Sequence, residues 1–221
     1  MNLKSYLRNV AYGMLPLCAP VVQAASQEAP NVILINIDDL GWTDLSCNGS
    51  TYYETPNIDK LRSLGIWFSQ AYAGASNSAP SRACMLTGQY GPRHGVYTVG
   101  NPNRGKAQQR RLLSIPNRDL LPDGIQILPR VLHEAGYQTY HVGKWHVTED
   151  PLLNGFDKNV AGNHAGHPTG YFSPYHNANL SDGEAGEFLP DRLGKEAVRL
   201  IEKVDRTRPF FLYYATYSVH T

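Results

Sequence analysis

The segment NVILINIDD (31–39) decides the fold class, because it joins an apolar run directly to two carboxylates. From Asn31 to Ile37 the run is apolar apart from its asparagines, which predicts a strand buried on both faces. Ligands in open α/β sheets bind at the carboxyl ends of strands, where Asp38 and Asp39 would lie. A divalent cation would relieve the repulsion between the two carboxylates, with Ca²⁺ as first choice and Mg²⁺ as second. Taken alone, a solvated turn or a helix cap explains the pair at least as well.

Outward from this segment, strand-like and helix-like patterns alternate along the chain. Their order predicts an α/β fold with a largely parallel sheet flanked by helices. Between residues 150 and 187 the periodicity is lost, and we expect a loop at the mouth of a site. The other predicted elements are a helix over 55–65 capped by Thr55 and ended by Gly65, a short strand over 66–73, a helix opened by Pro80 and closed at Gly88, a helix over 124–136 with Ile127, Val131 and Ala135 on one face, a strand over 137–142 that runs into GKWH (143–146), a helix over 193–204 and a strand-like run over 209–219.

The composition is that of a globular and nearly neutral chain. Of 221 residues, 42% are hydrophobic and 18% are charged, and the formal net charge is +1. This charge creates no field that would favour nucleic acid or an anionic membrane as a partner, so any recognition of anions must be local.

The first 26 residues, MNLKSYLRNVAYGMLPLCAPVVQAAS, place basic residues before an apolar run and end in small residues suited to cleavage. This order is typical of a secretory signal peptide. Two prolines interrupt the run, which argues against a single buried helix and against stable insertion in a membrane. We therefore predict a signal peptide over 1–25 and a secreted or periplasmic chain over 26–221. Lipidation at Cys18 is the alternative, although Leu17 precedes it where a small residue is expected.

The segment SAPSRACMLTG (78–88) gathers a nucleophile and a permanent cation at a predicted helix start. Pro80 fixes that start, so Ser78 would lie where free backbone N–H groups and the helix dipole favour an anion. Arg82 follows one turn later and can project beside Ser78. An ordinary helix cap is the alternative for this segment on its own.

SAPSRACMLTG also resembles the signature of the sulfatase family, (Cys or Ser)-x-Pro-Ser-Arg-x-x-x-Leu-Thr-Gly, at every specified position. Elsewhere the chain departs from the family pattern at Cys47-Asn48-Gly49 and after His146, where Val147-Thr148 replaces the common Leu-Gly. The resemblance implies an alkaline phosphatase-like fold, of which residues 26–221 would form the N-terminal portion. It also covers NVILINIDDLGWTDLSCNGS, TPNIDKLRSLGIWFSQAYA, GQYGPRHGVY, GYQTYHVGKWH, NGFD and PFFLYYATYSVHT, and so spans nearly the whole mature chain.

The resemblance implies a sulfuric ester hydrolase in which Ser78 is oxidised to formylglycine. Asp38, Asp39 and the oxygen derived from Ser78 would bind a calcium ion. An unmodified serine would leave a stable sulfated enzyme, whereas the hydrated aldehyde can attack with one hydroxyl and expel sulfate through the other. A serine-type motif further implies a maturing enzyme of the radical type as a partner.

The resemblance also assigns the polar side chains around this group. Arg82 would hold the formylglycine and balance its charge, and His146 would act as the base for expulsion of sulfate. Lys144 and His146 would contact the hydrate and the sulfate, and they point to the same side if GKWH continues its strand. His220 would lie against the sulfate and the leaving group.

Two other interpretations stay open. A phosphatase-type hydrolase would use the unmodified Ser78 on a phosphate ester bound to metal. An inactive, truncated member is the second, because the family normally supplies an Asp-Asn metal pair and another lysine from a C-terminal half. Export together with a serine-type motif resembles bacterial enzymes that release sulfate from polysaccharides, so a sulfated glycan is the expected substrate.

Overall fold

The structure, a computed structural model, describes residues 29–220, so the predicted signal peptide lies outside the described residues. Its four strands form one sheet in the order β1-β4-β2-β3, and every neighbouring pair is parallel. The predicted α/β class with a parallel sheet is therefore confirmed. The strands are β1 (Val32–Ile37), β2 (Gln138–Gly143), β3 (Lys158–Val160) and β4 (Phe210–Thr216).

Helices cover both faces of the sheet, and two of the five begin and end close to their predicted bounds. The helices predicted over 124–136 and 193–204 run instead over 128–134 and 189–202, and the short helix over 91–94 was not predicted. The helix that carries Ser78 begins at that residue, two positions before Pro80, and ends before Gly88, whose φ of 66° is left-handed. The helices are α1 (Pro56–Leu64), α2 (Ser78–Thr87), α3 (Gly91–His94), α4 (Leu128–Glu134) and α5 (Leu189–Glu202). None of the helices within residues 29–220 has the length and apolarity needed to cross a membrane.

The core has two layers because alternate side chains of the central strand β4 point to opposite faces. Phe211 and Tyr213 pack with residues of α2, while Phe210 and Leu212 pack with residues of α5. The sheet is thus held between these two helices, and the carboxyl ends of its strands form one edge. That edge carries the polar residues of the predicted site.

The expectation that the first strand is buried on both faces is wrong. Ile33 and Ile35 are 49% and 51% exposed, while Val32 and Leu34 pack against the core. The reason is that none of the described residues covers the face of β1 that carries Ile33 and Ile35.

Three other local predictions are also wrong. Residues 66–73 form no strand, because their backbone finds no hydrogen-bonding partner among residues 29–220. Ile127, the residue before α4, is buried, but Val131 is 41% exposed, so the helix itself packs through Leu128 and Leu132. Within the loop predicted over 150–187, the short strand β3 was missed because three residues show no periodicity.

Candidate active site

The two consecutive carboxylates lie at the carboxyl end of β1, as predicted. The chain after β4 returns beside them, because Asp38 N donates to Ser218 O (3.1 Å) and Val219 N donates to Asp38 O (2.7 Å). This pairing brings His220 to the same place, with its Nε2 3.9 Å from Asp39 Oδ2. Ligand atoms of Asp38, Asp39 and His220 all lie within 4.8 Å of one another.

Asp38 lies between two buried cations. Arg82 Nη2 donates to Asp38 Oδ1 at 3.0 Å, and Lys144 Nζ donates to Oδ2 at 2.5 Å. All three residues are buried: Arg82 is 2% exposed, Lys144 0% and Asp38 6%. A buried charge needs a partner, and two cations with a single buried carboxylate leave an excess of positive charge. The cluster is therefore suited to hold an additional anion.

The guanidinium of Arg82 is fixed from several sides. Its Nη1 donates to Lys144 O (2.9 Å) and to Tyr213 Oη (3.1 Å), in addition to the ion pair with Asp38. Its Nε is buried and has no partner among the described residues. Burial lowers the pKa of Lys144, while the hydrogen bond and the charge of Asp38 oppose this effect. Arg82 thus supplies a permanent charge in one fixed geometry.

Ser78 lies at the first position of α2, and its Oγ is 3.1 Å from His146 Nδ1. Burial, followed by the charges of Lys144, His164 and Arg82, lowers the pKa of His146 to about 4. The ring is therefore neutral near pH 7, and with its proton on Nε2 it can accept the proton of Ser78 Oγ. The resemblance implied that His146 contacts the group at position 78, and the structure brings His146 beside Ser78.

The segment GKWH does not continue its strand, contrary to expectation. Strand β2 ends at Gly143, whose φ is 100° and whose hypothetical Cβ would lie 1.9 Å from the backbone oxygen of Ala215. His146 also has a left-handed backbone, with φ of 60°. Because of these bends, Lys144 reaches Asp38, Trp145 enters the core and His146 reaches Ser78.

Part of the segment 150–187, which the sequence analysis expected as a loop at the mouth of a site, contacts His146 and His220. His146 N donates to Asn163 O (3.1 Å), and the ring of His164 lies edge-on to that of His146 with centroids 5.9 Å apart. A Cβ at Gly166 would lie 2.5 Å from His146 Cε1, so only glycine fits there without a shift. The loop therefore surrounds the ring of His146.

The same loop continues to His220. The ring of His167 stacks on that of His220 with centroids 6.5 Å apart, and Tyr171 Oη donates to His220 O at 2.6 Å. The Nδ1 atoms of His164 and His220 are buried without a partner among residues 29–220. The clustering of histidine and glycine over 162–167 was the available signal, but it does not say which residues the loop contacts.

The donor set matches a hard divalent cation only in part. Asp38 and Asp39 offer carboxylate oxygens, yet both oxygens of Asp38 already accept from Arg82 and Lys144. The two carboxylates supply at most four of the six to eight oxygens that Ca²⁺ takes. Their chemistry fits the cation, and the described residues provide a partial shell.

Comparison with known proteins agrees with this geometry. Residues 30–221 match the family described as Sulfatase. The chain is 32% identical to N-acetylgalactosamine-6-sulfatase of Homo sapiens, over 89% of this chain and 41% of that protein. It is 30% identical to N-acetylglucosamine-6-O-sulfatase of Bacteroides thetaiotaomicron, over 90% of this chain and 32% of that protein.

Two solved structures share the fold. Ps i-CgsB in complex with k-i-k-neocarrahexaose superposes with a TM-score of 0.70 at 32% identity, over 88% of this chain and 46% of that chain. BT4656 in complex with D-glucosamine-2-N,6-O-disulfate superposes with a TM-score of 0.68 at 29% identity, over 87% of this chain and 35% of that chain. The chain thus spans less than half the length of these relatives. The match over residues 30–221 and the shared alkaline phosphatase-like architecture show that this chain belongs to the sulfatase family.

Proposed function

We propose that the protein hydrolyses sulfate esters of glycans, with Ser78 oxidised to formylglycine as its nucleophile. The observation that carries the proposal is the buried cluster of Arg82 and Lys144 around Asp38, directly beside the start of α2. A sulfate ester is a poorly electrophilic anion, so its hydrolysis requires fixed positive charge at the sulfate oxygens. The cluster supplies that charge in a buried site, where it acts more strongly than in water.

Each side chain around Ser78 has a role that follows from its contacts. Arg82 is held by three partners and balances the charge of the nucleophile. Lys144 and the N-terminus of α2 bind sulfate oxygens. His146 takes a proton from the group at position 78, which its Nδ1 already contacts. His220 lies on the side of the departing alcohol, against Asp39.

The formylglycine would supply what serine lacks. Its hydrated aldehyde carries two hydroxyl groups on one carbon, so that sulfate bound through one is released through the other. A radical-type maturing enzyme is the expected source of this oxidation. Asp38, Asp39 and the oxygen at position 78 would hold a calcium ion, which neutralises charge on the sulfate group.

A glycan is the proposed substrate because the names of the relatives specify sulfated sugars. The names of the curated relatives specify sulfated N-acetylgalactosamine and N-acetylglucosamine. One matching structure contains a disulfated glucosamine described as its substrate. Because the chain spans 41% of the human relative, activity and substrate are proposals for the protein at its full encoded length.

Mass spectrometry and sulfate release together test this proposal. The protein is produced at its full encoded length with and without a radical-type serine-modifying enzyme. We expect the Ser78 peptide to be two hydrogen atoms lighter only after co-expression, and sulfate release from a sulfated N-acetylhexosamine only from that material. The control is Ser78→Ala, which has no side chain to oxidise.

The same experiment separates the alternative functions. Phosphate release from a phosphate ester by protein with an intact Ser78 hydroxyl supports the phosphatase instead. A fully modified Ser78 with no hydrolysis of any sulfated sugar supports the inactive member. Either result refutes the proposal.

A further inference from the structure

Charge is strongly segregated along this nearly neutral chain. Between Asp59 and Asp119 the sequence has no aspartate or glutamate, whereas nine lysine and arginine residues lie in that interval. Five of these nine are concentrated in a single exposed loop, here called the basic loop and defined as residues 99–118. They are Arg104, Lys106, Arg110, Arg111 and Arg118. None of the five is paired with a carboxylate of residues 29–220.

The base of the basic loop is tied to the start of α2. Asn117 closes the loop, because its Oδ1 accepts from Thr98 N (3.1 Å) and its Nδ2 donates to Gly100 O (3.0 Å). Thr98 is itself attached to the active site, since Asn77 Nδ2 donates to Thr98 Oγ1 at 3.2 Å. Asn77 immediately precedes Ser78, so the loop leaves the protein next to the nucleophile.

Internal hydrogen bonds give the basic loop a defined shape. Arg104 and Arg110 each donate to backbone carbonyls of the loop, at 2.8 and 2.9 Å. Lys106 and Arg111 lie on either side of the short turn 107–109, are exposed, and have no side-chain hydrogen bond to any described residue. Two of the five cations thus brace the loop, while these two remain available to a ligand.

We infer that the basic loop binds further anionic groups of the same glycan, so that the preferred substrate is a polysulfated oligosaccharide and not an isolated monosulfated sugar. This inference rests on the proposed function. A glycan with one sulfate at Ser78 would bring its neighbouring sugars past the N-terminus of α2, where the base of the loop begins. Exposed cations without carboxylate partners bind a linear polyanion by displacing its counterions, which gives binding that weakens as salt is added.

A binding experiment tests the inference without any need for turnover. A fluorescently labelled polysulfated hexasaccharide is titrated with the full protein at 50 and 200 mM salt, and anisotropy is measured. With two cations engaged, a fourfold increase in salt should weaken binding about sevenfold, using the slope known for single-stranded polyanions. The double variant Lys106→Gln/Arg111→Gln should bind about tenfold more weakly at low salt, and its binding should depend less steeply on salt.

The matched control removes the same charge elsewhere. Lys203→Gln/Arg206→Gln changes two exposed cations after α5, at the opposite edge of the sheet. Thermal unfolding verifies that both double variants fold. We expect the control to bind the hexasaccharide like the wild type.

Two outcomes would overturn the inference. If hexasaccharide binding weakened equally in both double variants, the net charge of the protein, and not the basic loop, would be responsible for the binding. Equal affinity for a single-stranded DNA of matched charge, with the same loss in Lys106→Gln/Arg111→Gln, would mean an unspecific polyanion site or a nucleic-acid site. Hydrolysis of a monosulfated sugar is measured separately, so failure of the basic loop and failure of the proposed function give different results.

Discussion

Substitution of Gly166 by alanine should impair catalysis by displacing His146, although Gly166 itself contacts no substrate. A Cβ at this position would lie 2.5 Å from His146 Cε1 and 2.9 Å from both ring nitrogens. Carbon atoms in contact are about 3.5–4.0 Å apart, so the ring must move by about 1 Å. That shift lengthens the 3.1 Å contact between His146 Nδ1 and Ser78 Oγ beyond hydrogen-bonding range.

The size of the effect follows from the loss of one positioned base. Displacement of a reacting group by about 1 Å costs about 10²-fold, and a general base contributes about 10²- to 10⁴-fold. We therefore expect kcat for sulfate release to fall about 100-fold while KM changes little, since Lys144 and Arg82 are untouched. Crowding should also lower the free energy of unfolding by about 1–3 kcal/mol.

Gly170→Ala is the matched control. This glycine lies in the same loop, but a Cβ there would be 4.0 Å from its nearest heavy atom, Phe172 O. Neither glycine has a left-handed φ, so alanine introduces no backbone strain at either position. The assay measures kcat and KM across pH on both variants. A kcat for Gly166→Ala within about threefold of the wild type would refute the reasoning, as would an equal loss in Gly170→Ala.

Three further predictions concern the charged and buried groups. Asp38→Asn leaves Arg82 and Lys144 buried without their carboxylate and should cost about 3–5 kcal/mol in urea unfolding; a loss below about 1 kcal/mol would contradict this. The pKa of His141 is lowered by burial from 6.5 to about 4, so the unfolded chain binds more protons between those values and stability falls as pH drops through them. Between pH 7 and pH 5 the wild type should lose about 2 kcal/mol more than His141→Gln, and parallel pH profiles would disprove that cause. Calcium at about 100 times its Kd should raise the free energy of unfolding by about 2.7 kcal/mol, and magnesium should raise it less. Asp39→Asn should abolish this stabilisation in thermal unfolding. An unchanged response to calcium in that variant would exclude Asp39 as a ligand.

The sequence predicted the sheet and the main site residues for identifiable reasons. Apolar runs bounded by turn residues located β1 and β4, and Pro80 located the start of α2, so that Ser78 and Arg82 followed from helix geometry. The position of Asp38 followed from its place after a strand, whereas His220 was assigned to the site by the resemblance to the family. These features depend on short segments of chain, which local pattern describes well.

The predictions that failed concerned features that depend on contacts between distant segments of the chain. The loop over 163–171 has no periodicity, so its packing around His146 and His220 had no local signature. The exposure of Ile33 and the absence of a strand over 66–73 depend on what lies beside each segment in space. In β1 and in α4 the pattern showed that residues are apolar, but not which face finds a partner.

The pairing of β1 with β4 also sets the order in which the site can assemble. Val32 is in register with Phe211, so the first strand of the described chain can pair into the sheet only after the last strand is present. Contacts of such sequence separation form late, and on a ribosome they cannot form until synthesis has passed Thr216. Throughout that interval Asp38 and Ser78 belong to an open chain, whereas afterwards Ser78 is half-buried against His146. If Ser78 is oxidised as proposed, this topology would give the modifying enzyme a period of access to Ser78 before the fold is complete.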